Sequence, residues 1–126
     1  MVFSNILLID DDDDDQEIFL MALQQISSTI TYNYYNSARE ALAQLAVSKQ
    51  LPEVIFLDLN MPLMSGQEFL FHIKQNQVLA PIPVIIFSTA SDDATKVLTK
   101  DLGAYDFITK PSDFNELINL LRPLIR

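Results

Sequence analysis

The most informative segment of the chain is Val54-Ile55-Phe56-Leu57-Asp58-Leu59-Asn60-Met61-Pro62-Leu63-Met64-Ser65-Gly66. Its first four residues are apolar and two of them are β-branched, which is typical of a strand buried in a parallel sheet. Pro62 and Gly66 indicate a loop directly after that strand. Asp58 is therefore predicted to end a parallel strand, at the edge where open α/β sheets bind their ligands.

A second apolar run, residues 6–9, ends in the same way with Asp10, Asp11 and Asp12. If the two runs form neighbouring parallel strands, their carboxylates emerge at one edge of the sheet. Carboxylates held a few ångströms apart repel, by about 4 kcal/mol for two unit charges at about 4 Å and an effective dielectric of about 20. Either a pKa rises steeply or a cation lies among them, and a hard cation such as Mg²⁺ prefers oxygen ligands.

Composition excludes several classes of protein. The 126 residues fit one domain and are 49% hydrophobic and 20% charged, as expected of a globular chain. No apolar run approaches the ~20 residues of a membrane span, and residues 1–5 lack the basic start of a secretory signal. Zero cysteines exclude disulfides and thiolate metal sites, and the net charge of −9 argues against nucleic acid. Because the sequence shows neither a membrane span nor a secretory signal, we expect a cytoplasmic protein. Neither GxGxxG nor a P-loop is present, which excludes nucleotide binding through those loops.

Strand and helix signals alternate five times along the chain. The predicted strands are about residues 4–10, 30–36, 53–59, 83–88 and 104–109, and the helices lie near 14–27, 38–49, 65–77, 92–102 and 113–125. Strict alternation predicts a doubly wound α/β fold, with a parallel five-stranded sheet between two helical layers. The strand order 2-1-3-4-5 is favoured because it makes strands one and three neighbours.

Local signals support these boundaries. Ser37 and Glu40 have the spacing of a capping box, and Ser91 and Ser112 each precede an acidic residue at a predicted helix start. Gly103 lies where the fourth helix should end. The alternating residues 32–35 suit a half-exposed edge strand.

Taken together, these residues resemble the receiver domain of two-component response regulators, over essentially the whole chain. The matching elements are the acidic cluster after strand one, Asp58 in a Leu-Asp-Leu-Asn-Met-Pro context, Gly66, a hydroxyl after strand four, and Lys110-Pro111 after strand five. Ser88 and Lys110 follow Asp58 at the spacing usual for the family. The resemblance implies the flavodoxin- and CheY-like (βα)5 fold.

The resemblance also implies a function. Asp58 would accept a phosphoryl group from a histidine kinase or a phosphotransfer protein, with Mg²⁺ required and Mn²⁺ as an alternative. Since nothing follows Arg126, we expect one receiver domain over 1–126 without an output domain, acting as a phosphorylation-controlled binding switch for a downstream protein. We expect no enzymatic activity beyond its own phosphorylation and dephosphorylation, and a monomer or a phosphorylation-dependent dimer.

For the metal, Asp11 is the predicted direct ligand and Asp10 a water-mediated one, with Asp12 as the alternative to Asp11. Asp58 and the backbone carbonyl of Asn60 would complete the set, as the family implies.

Three further residues have roles implied by the family. Lys110 would pair with Asp58 and then with the phosphoryl oxygens, and family members usually have a cis peptide before the following proline. Ser88, or its neighbour Thr89, would supply the switch hydroxyl, with the spacing of Lys110 favouring Ser88. Phe107 occupies the aromatic switch position, and simple packing explains a phenylalanine there equally well.

Some residues have simpler explanations, and other functions remain as alternatives. Asp13 to Asp15 suit the positive end of a helix dipole, and His72 suits a surface position. A receiver-like module that binds partners without phosphorylation is the alternative function. An aspartate-based phosphohydrolase is disfavoured because Asn60 stands where such enzymes have a second aspartate, and a flavin carrier is disfavoured because its phosphate loop is missing.

Overall fold

The computed structural model describes residues 2–126, and its backbone alternates strand and helix five times. The strands are β1 Asn5–Ile9, β2 Thr31–Tyr35, β3 Val54–Leu57, β4 Val84–Ser88 and β5 Asp106–Thr109. The helices are α1 Asp13–Ile26, α2 Ala38–Val47, α3 Gly66–Gln75, α4 Asp93–Asp101 and α5 Phe114–Leu121. Every element predicted from the sequence is present, within a few residues at each end.

The five strands form one parallel sheet in the order β2-β1-β3-β4-β5, which confirms the predicted order. Strands β1 and β3 are neighbours, with Ile9 opposite Leu57 at their carboxyl ends. The Asp58 amide donates to the Ile9 carbonyl at 3.0 Å. Asp10 and Asp58 therefore leave the sheet side by side.

Apolar side chains leave both faces of the sheet, so the core has two halves. On one face the strands pack against α1 and α5, with Phe19, Phe56 and Phe87 in edge-to-face contact. On the other face they pack against α2 and α3, where Phe69, Leu70 and Ile73 are buried. A sheet covered on both faces explains why β3 and β4 are continuous apolar runs. Strand β2 is a largely exposed edge, as predicted.

The helix caps differ in detail from those predicted. Asp92 and Asp113, rather than Ser91 and Ser112, accept the backbone N–H bonds at the starts of α4 and α5. Ser37 caps α2 through the Glu40 amide. The reciprocal capping box is at α3, where Ser65 and Glu68 each accept from the other's amide.

Helix α5 ends at Leu121, four residues before the predicted end. Pro123 has no amide to continue the helical ladder, and residues Arg122–Leu124 form a 3₁₀ turn instead. The chain then pairs with its own beginning, since Phe3 and Ile125 form a parallel bridge. Phe3 and residues 124–126 are thereby joined at the amino ends of the strands, opposite the acidic residues.

Two backbone features complete the description. Leu63 and Gly103 have left-handed φ values of 70° and 107°, and Gly103 follows α4 as predicted. All peptide bonds between residues 2 and 126 are trans, so the cis bond expected before Pro111 is wrong for this structure. No helix in the same range is long and apolar enough to cross a membrane.

Candidate phosphoacceptor and metal site

Three carboxylates converge at the carboxyl edge of the sheet. Oxygen atoms of Asp10, Asp11 and Asp58 all lie within 4.8 Å of one another. Asp10 is fully buried and Asp58 is 7% exposed, whereas Asp11 is open to solvent. The cluster thus offers oxygen donors from two buried carboxylates and one exposed carboxylate. Mg²⁺ and Mn²⁺ prefer such hard oxygen donors, and Mg²⁺ usually keeps several of its water ligands.

The backbone after β1 is held in place around Asp10. The Asp12 amide donates to Asp10 Oδ1 at 3.0 Å, and Gln16 Nε2 donates to the Asp10 carbonyl at 2.6 Å. Gln16 is a buried polar residue of α1 that sequence reasoning missed. Only its position, directly after the acidic run and about one helical turn after Asp12, could have suggested that it faces the site.

Asp12, the alternative to Asp11 as a metal ligand, has another role. It is the N-cap of α1 and accepts from the amides of Asp14 and Asp15 at 2.9 and 3.2 Å. The carboxylate group that could hold a metal contains Asp11 and not Asp12. Asp11, rather than Asp12, therefore lies with the other two carboxylates.

Asp58 is positioned by the loop after β3. The Leu59 amide donates to Asp58 Oδ1 at 2.8 Å, and its other oxygen, Oδ2, faces Lys110. The loop returns closely on itself, because the Gly66 amide donates to the Leu59 carbonyl at 3.0 Å. A Cβ on Gly66 would overlap the backbone of Asp58 and Leu59, which explains the glycine at this position. Asn60 is exposed, and its metal-binding carbonyl stays a prediction.

Lys110 is the cation of the site, but its nearest partners differ from those expected. Its ammonium donates to Asp10 Oδ2 and to Asp15 Oδ2, each at 2.8 Å, while Asp58 Oδ2 is 3.6 Å away. The predicted pairing with Asp58 is present as a longer contact. The hydrogen bond to Asp15 was not predicted, because six consecutive aspartates give no signal to distinguish one from another.

The electrostatics reflect burial of like charges. Desolvation raises the pKa of Asp10 to about 6, against the opposing effect of Lys110. Desolvation also raises the pKa of Asp58, while Lys110 and the amides of Leu59 and Asn60 oppose the rise. For Lys110, burial lowers the pKa, but the bonds to Asp10 and Asp15 outweigh it and the pKa lies above its usual value. A cation among these carboxylates would favour their ionised forms.

The two candidate switch hydroxyls have different surroundings. Ser88 is fully buried at the end of β4, and the Ala90 amide donates to its Oγ at 3.2 Å. Thr89 is exposed. The Lys110 amide donates to the Ser88 carbonyl at 2.9 Å, so the backbones of the two residues are joined.

Phe107 lies on β5, opposite Ile86 of β4. Its ring is half-buried against the core, and the Lys96 ammonium lies 5.7 Å from the ring centroid. This position on β5, beside β4 and in contact with α4, is compatible with simple packing and with the movement of an aromatic switch residue.

His72 is exposed on α3, beside the half-exposed Phe71 ring. This exposure accords with the surface position expected for the histidine.

The structure defines a doubly wound α/β protein with three clustered aspartates, a lysine and a buried hydroxyl at the carboxyl edge of its sheet, where such folds bind their ligands. Comparison with known proteins gives the family. The family model for the response regulator receiver domain matches residues 6–122. The chain belongs to this family and is thus a receiver domain of two-component signalling.

Curated relatives are about one-third identical to the chain over the matched region. Response regulator ArlR of Staphylococcus aureus is 36% identical over 100 residues, which cover 77% of this chain and 44% of that protein. The probable transcriptional regulator ycf29 of Pyropia yezoensis is 35% identical over 96 residues, covering 75% and 42%. The chain spans less than half the length of these relatives.

Solved structures agree with the fold over nearly the whole chain. The phosphorylated cyanobacterial phytochrome response regulator RcpA has a TM-score of 0.87 and 27% identity, covering 97% of this chain and 91% of its own. The Mn²⁺-bound response regulator Rcp1 has a TM-score of 0.82 and 24% identity, covering 94% and 90%. The chemotaxis protein CheY4 of Vibrio cholerae has a TM-score of 0.80 and 24% identity, covering 98% and 100%.

Proposed function

We propose that this receiver domain accepts a phosphoryl group on Asp58 from a histidine kinase or a phosphotransfer protein. The observation that carries the proposal is the placement of Asp58. It is nearly buried at the end of β3, within 4.8 Å of Asp10 and Asp11 and 3.6 Å from the Lys110 ammonium. The phosphorylated state of the relative RcpA supports it.

The chemistry is a phosphoryl transfer between two side chains. A carboxylate oxygen of Asp58 forms a bond to phosphorus while the bond from phosphorus to the donor imidazole nitrogen breaks, and the electron pair of that bond returns to the imidazole. The Leu59 amide holds Asp58 Oδ1, which leaves Oδ2 on the side of Lys110. Lys110 supplies positive charge for the transferring oxygens, as a mobile point charge.

A divalent cation completes the site in this proposal. Mg²⁺, or Mn²⁺ in its place, would be held by Asp10, Asp11, Asp58 and the Asn60 carbonyl, and would offset the negative charge that repels a phosphoryl donor. The clustered carboxylate oxygens and the Mn²⁺-bound form of Rcp1 support this donor set.

Phosphorylation would control partner binding through β4 and β5. The added phosphoryl group carries up to about two negative charges. Ser88 would bond its oxygens, Lys110 would follow their charge, and Phe107 would move into the space beside Ser88. The surface formed by α4, β5 and α5 would then differ between the two states, and so would its affinity for a downstream protein.

The proposal includes the remaining expectations from the sequence. The domain would act by itself as the switch, and would catalyse only its own phosphorylation and dephosphorylation. Its partners would be the phosphoryl donor and one or more downstream proteins, as monomer or phosphorylation-dependent dimer.

Labelling with a small phosphodonor tests the proposal. Phosphoramidate with Mg²⁺ should add the mass of one phosphoryl group to the intact protein, and chelation of the metal should prevent it. Asp58→Asn should remove the labelling while the protein remains folded. Equal labelling of Asp58→Asn would contradict the assignment, and a folded wild type that takes no label would favour a binding module that works without phosphorylation.

Thermal unfolding tests the metal ligands without any phosphodonor. A cation that binds only the native state raises the melting temperature by mass action, so Mg²⁺ should stabilise the wild type. Asp11→Ala should remove most of that shift, whereas Asp13→Ala, at the first residue of α1, should keep it. An unchanged response of Asp11→Ala would contradict the ligand assignment.

A further inference from the structure

Asp15 contacts the lysine of the site without belonging to the metal-binding triad. Its Oδ2 accepts a 2.8 Å hydrogen bond from Lys110 Nζ, as short as the bond to Asp10 and shorter than the 3.6 Å contact with Asp58. The Asp15 side chain is 36% exposed and that of Lys110 only 12%. Within residues 2–126, no acidic side chain other than these three lies within ion-pair distance of Lys110.

If a cation bound Asp10 and Asp58, Asp15 would therefore remain as the carboxylate partner of Lys110. Asp10 and Asp58 lie in the carboxylate group suited to a cation, and Asp15 does not. An ammonium bonded to Asp15 on α1 is drawn toward that helix and away from Asp58, which directly follows β3. Because charge-assisted hydrogen bonds are among the strong ones, this bond opposes the movement of Lys110 toward an added phosphoryl group.

The ion pair lies beside a cavity. Asp15 and Lys110 line this space of about 350 Å³ together with Thr89, whereas neither Asp10 nor Asp58 lines it. The Lys110 ammonium also lies 5.6 Å from the centroid of the Phe87 ring. The bond to Asp15 therefore holds the ammonium on the side of α1, next to this cavity.

We propose that Asp15 is a positioning residue that holds Lys110 in its unphosphorylated position and so biases the switch toward the unphosphorylated state. The effect on switching rests on the proposed function, whereas the ion pair itself is part of the structure. Coupling between two interactions is reciprocal. Because Asp15 stabilises Lys110 near α1, it should weaken the binding of any group that requires Lys110 to lie near Asp58.

The chain supplies a matched control for the test. Asp15→Asn removes one charge and keeps the shape of the side chain. Asp14→Asn removes the same charge from the adjacent, exposed position of the same helical turn, where the side chain has no contact with Lys110. Asp15→Glu keeps the charge and should retain the pairing.

The first measurement uses metal-free protein. The ¹H–¹³C signal of the Lys110 ε-methylene, assigned by its loss in Lys110→Arg, should shift in Asp15→Asn and stay close to wild type in Asp14→Asn and Asp15→Glu. An unshifted signal in Asp15→Asn would overturn the ion pair and the proposal with it.

The second measurement is the affinity for beryllofluoride in the presence of Mg²⁺, read by amide NMR. Asp15→Asn should bind it about three- to tenfold more tightly than Asp14→Asn, and Asp15→Glu should resemble the wild type. Equal affinities in Asp15→Asn and Asp14→Asn would overturn this proposal alone, since the wild type would still bind. A wild type that binds no beryllofluoride would overturn the proposed function as well, which distinguishes the two failures.

Discussion

Among single residues, the close approach of Gly66 to the backbone of Asp58 helps to fix where the Asp58 carboxyl group lies. The first residue of α3 packs against the carbonyl carbon of Asp58 and the Cα of Leu59, at 3.0 and 2.8 Å from where a Cβ would be. These neighbours are backbone atoms at the end of a buried strand, so they cannot rotate away as a long side chain would. The loop therefore fixes Asp58 by sterics as well as by hydrogen bonds.

Gly66→Ala distinguishes this steric effect from helix propensity. Propensity alone predicts that alanine in a helix stabilises by up to about 1 kcal/mol. Overpacking against backbone predicts a loss of about 1–3 kcal/mol in the free energy of unfolding, and we expect this loss to prevail. Urea unfolding measures it, with Gln67→Ala as the control within the same helical turn. A variant as stable as the wild type would contradict the steric argument.

The sequence predicted which residues meet at the site better than it predicted their hydrogen bonds. Asp58 and Lys110 were identified because motif and spacing point to single positions. Gln16 and Asp15 were missed, since their importance depends on which side chains of α1 face β5 and the loop after it. That orientation follows from packing of α1 on the sheet, which a run of identical residues does not encode.

Among helices and strands, Glu53 joins the starts of β1 and β3. Its Oε1 accepts from the Ser4 amide at 2.6 Å and from the Asn5 amide at 3.0 Å. These hydrogen bonds lower the pKa of Glu53 below its ordinary 4.5. No role was predicted for this residue from the sequence. A carboxylate just before a strand can nevertheless accept hydrogen bonds from backbone amides that have no strand partner at the end of the sheet.

Glu53 should therefore make stability depend on pH. Its folded pKa is lowered, so the unfolded state takes up protons first as the pH falls. The stabilisation is present above about pH 4.5 and is lost progressively below it. The difference in free energy of unfolding between wild type and Glu53→Gln should be positive near pH 7 and should shrink by about pH 3. Urea unfolding at both pH values checks this, and a difference independent of pH would contradict it.

Element boundaries were predictable to within a few residues, for identifiable reasons. Ser91 and Asp92, or Ser112 and Asp113, are equally able to cap a helix, so the pattern does not say which one the backbone places at the N-cap. The end of α5 was predicted too late because the apolar spacing continues past Pro123. The missing proline amide, rather than hydrophobicity, ends the helix.

For the molecule as a whole, topology assembles the site from distant parts of the chain. The parallel order places the ends of β1, β3, β4 and β5 along one edge, so Asp10, Asp58, Ser88 and Lys110 meet there. This order was predictable, because strict alternation and the carboxylates at two strand ends favour β1 beside β3. The proposed movement of β4 and β5 on phosphorylation depends on a second state, which the strand order does not describe.

Amide NMR of the protein with beryllofluoride and Mg²⁺ tests whether that second state exists. We predict large shifts from Ser88 through Lys110 and small shifts across β2, because the charge change acts where Ser88 and Lys110 join β4 to β5. Ser88→Ala should still bind beryllofluoride but lose most of the shifts distant from Asp58, whereas Thr89→Ala should keep them. Shifts confined to the surroundings of Asp58 in the wild type would contradict the switch, and normal distant shifts in Ser88→Ala would contradict the role of its hydroxyl.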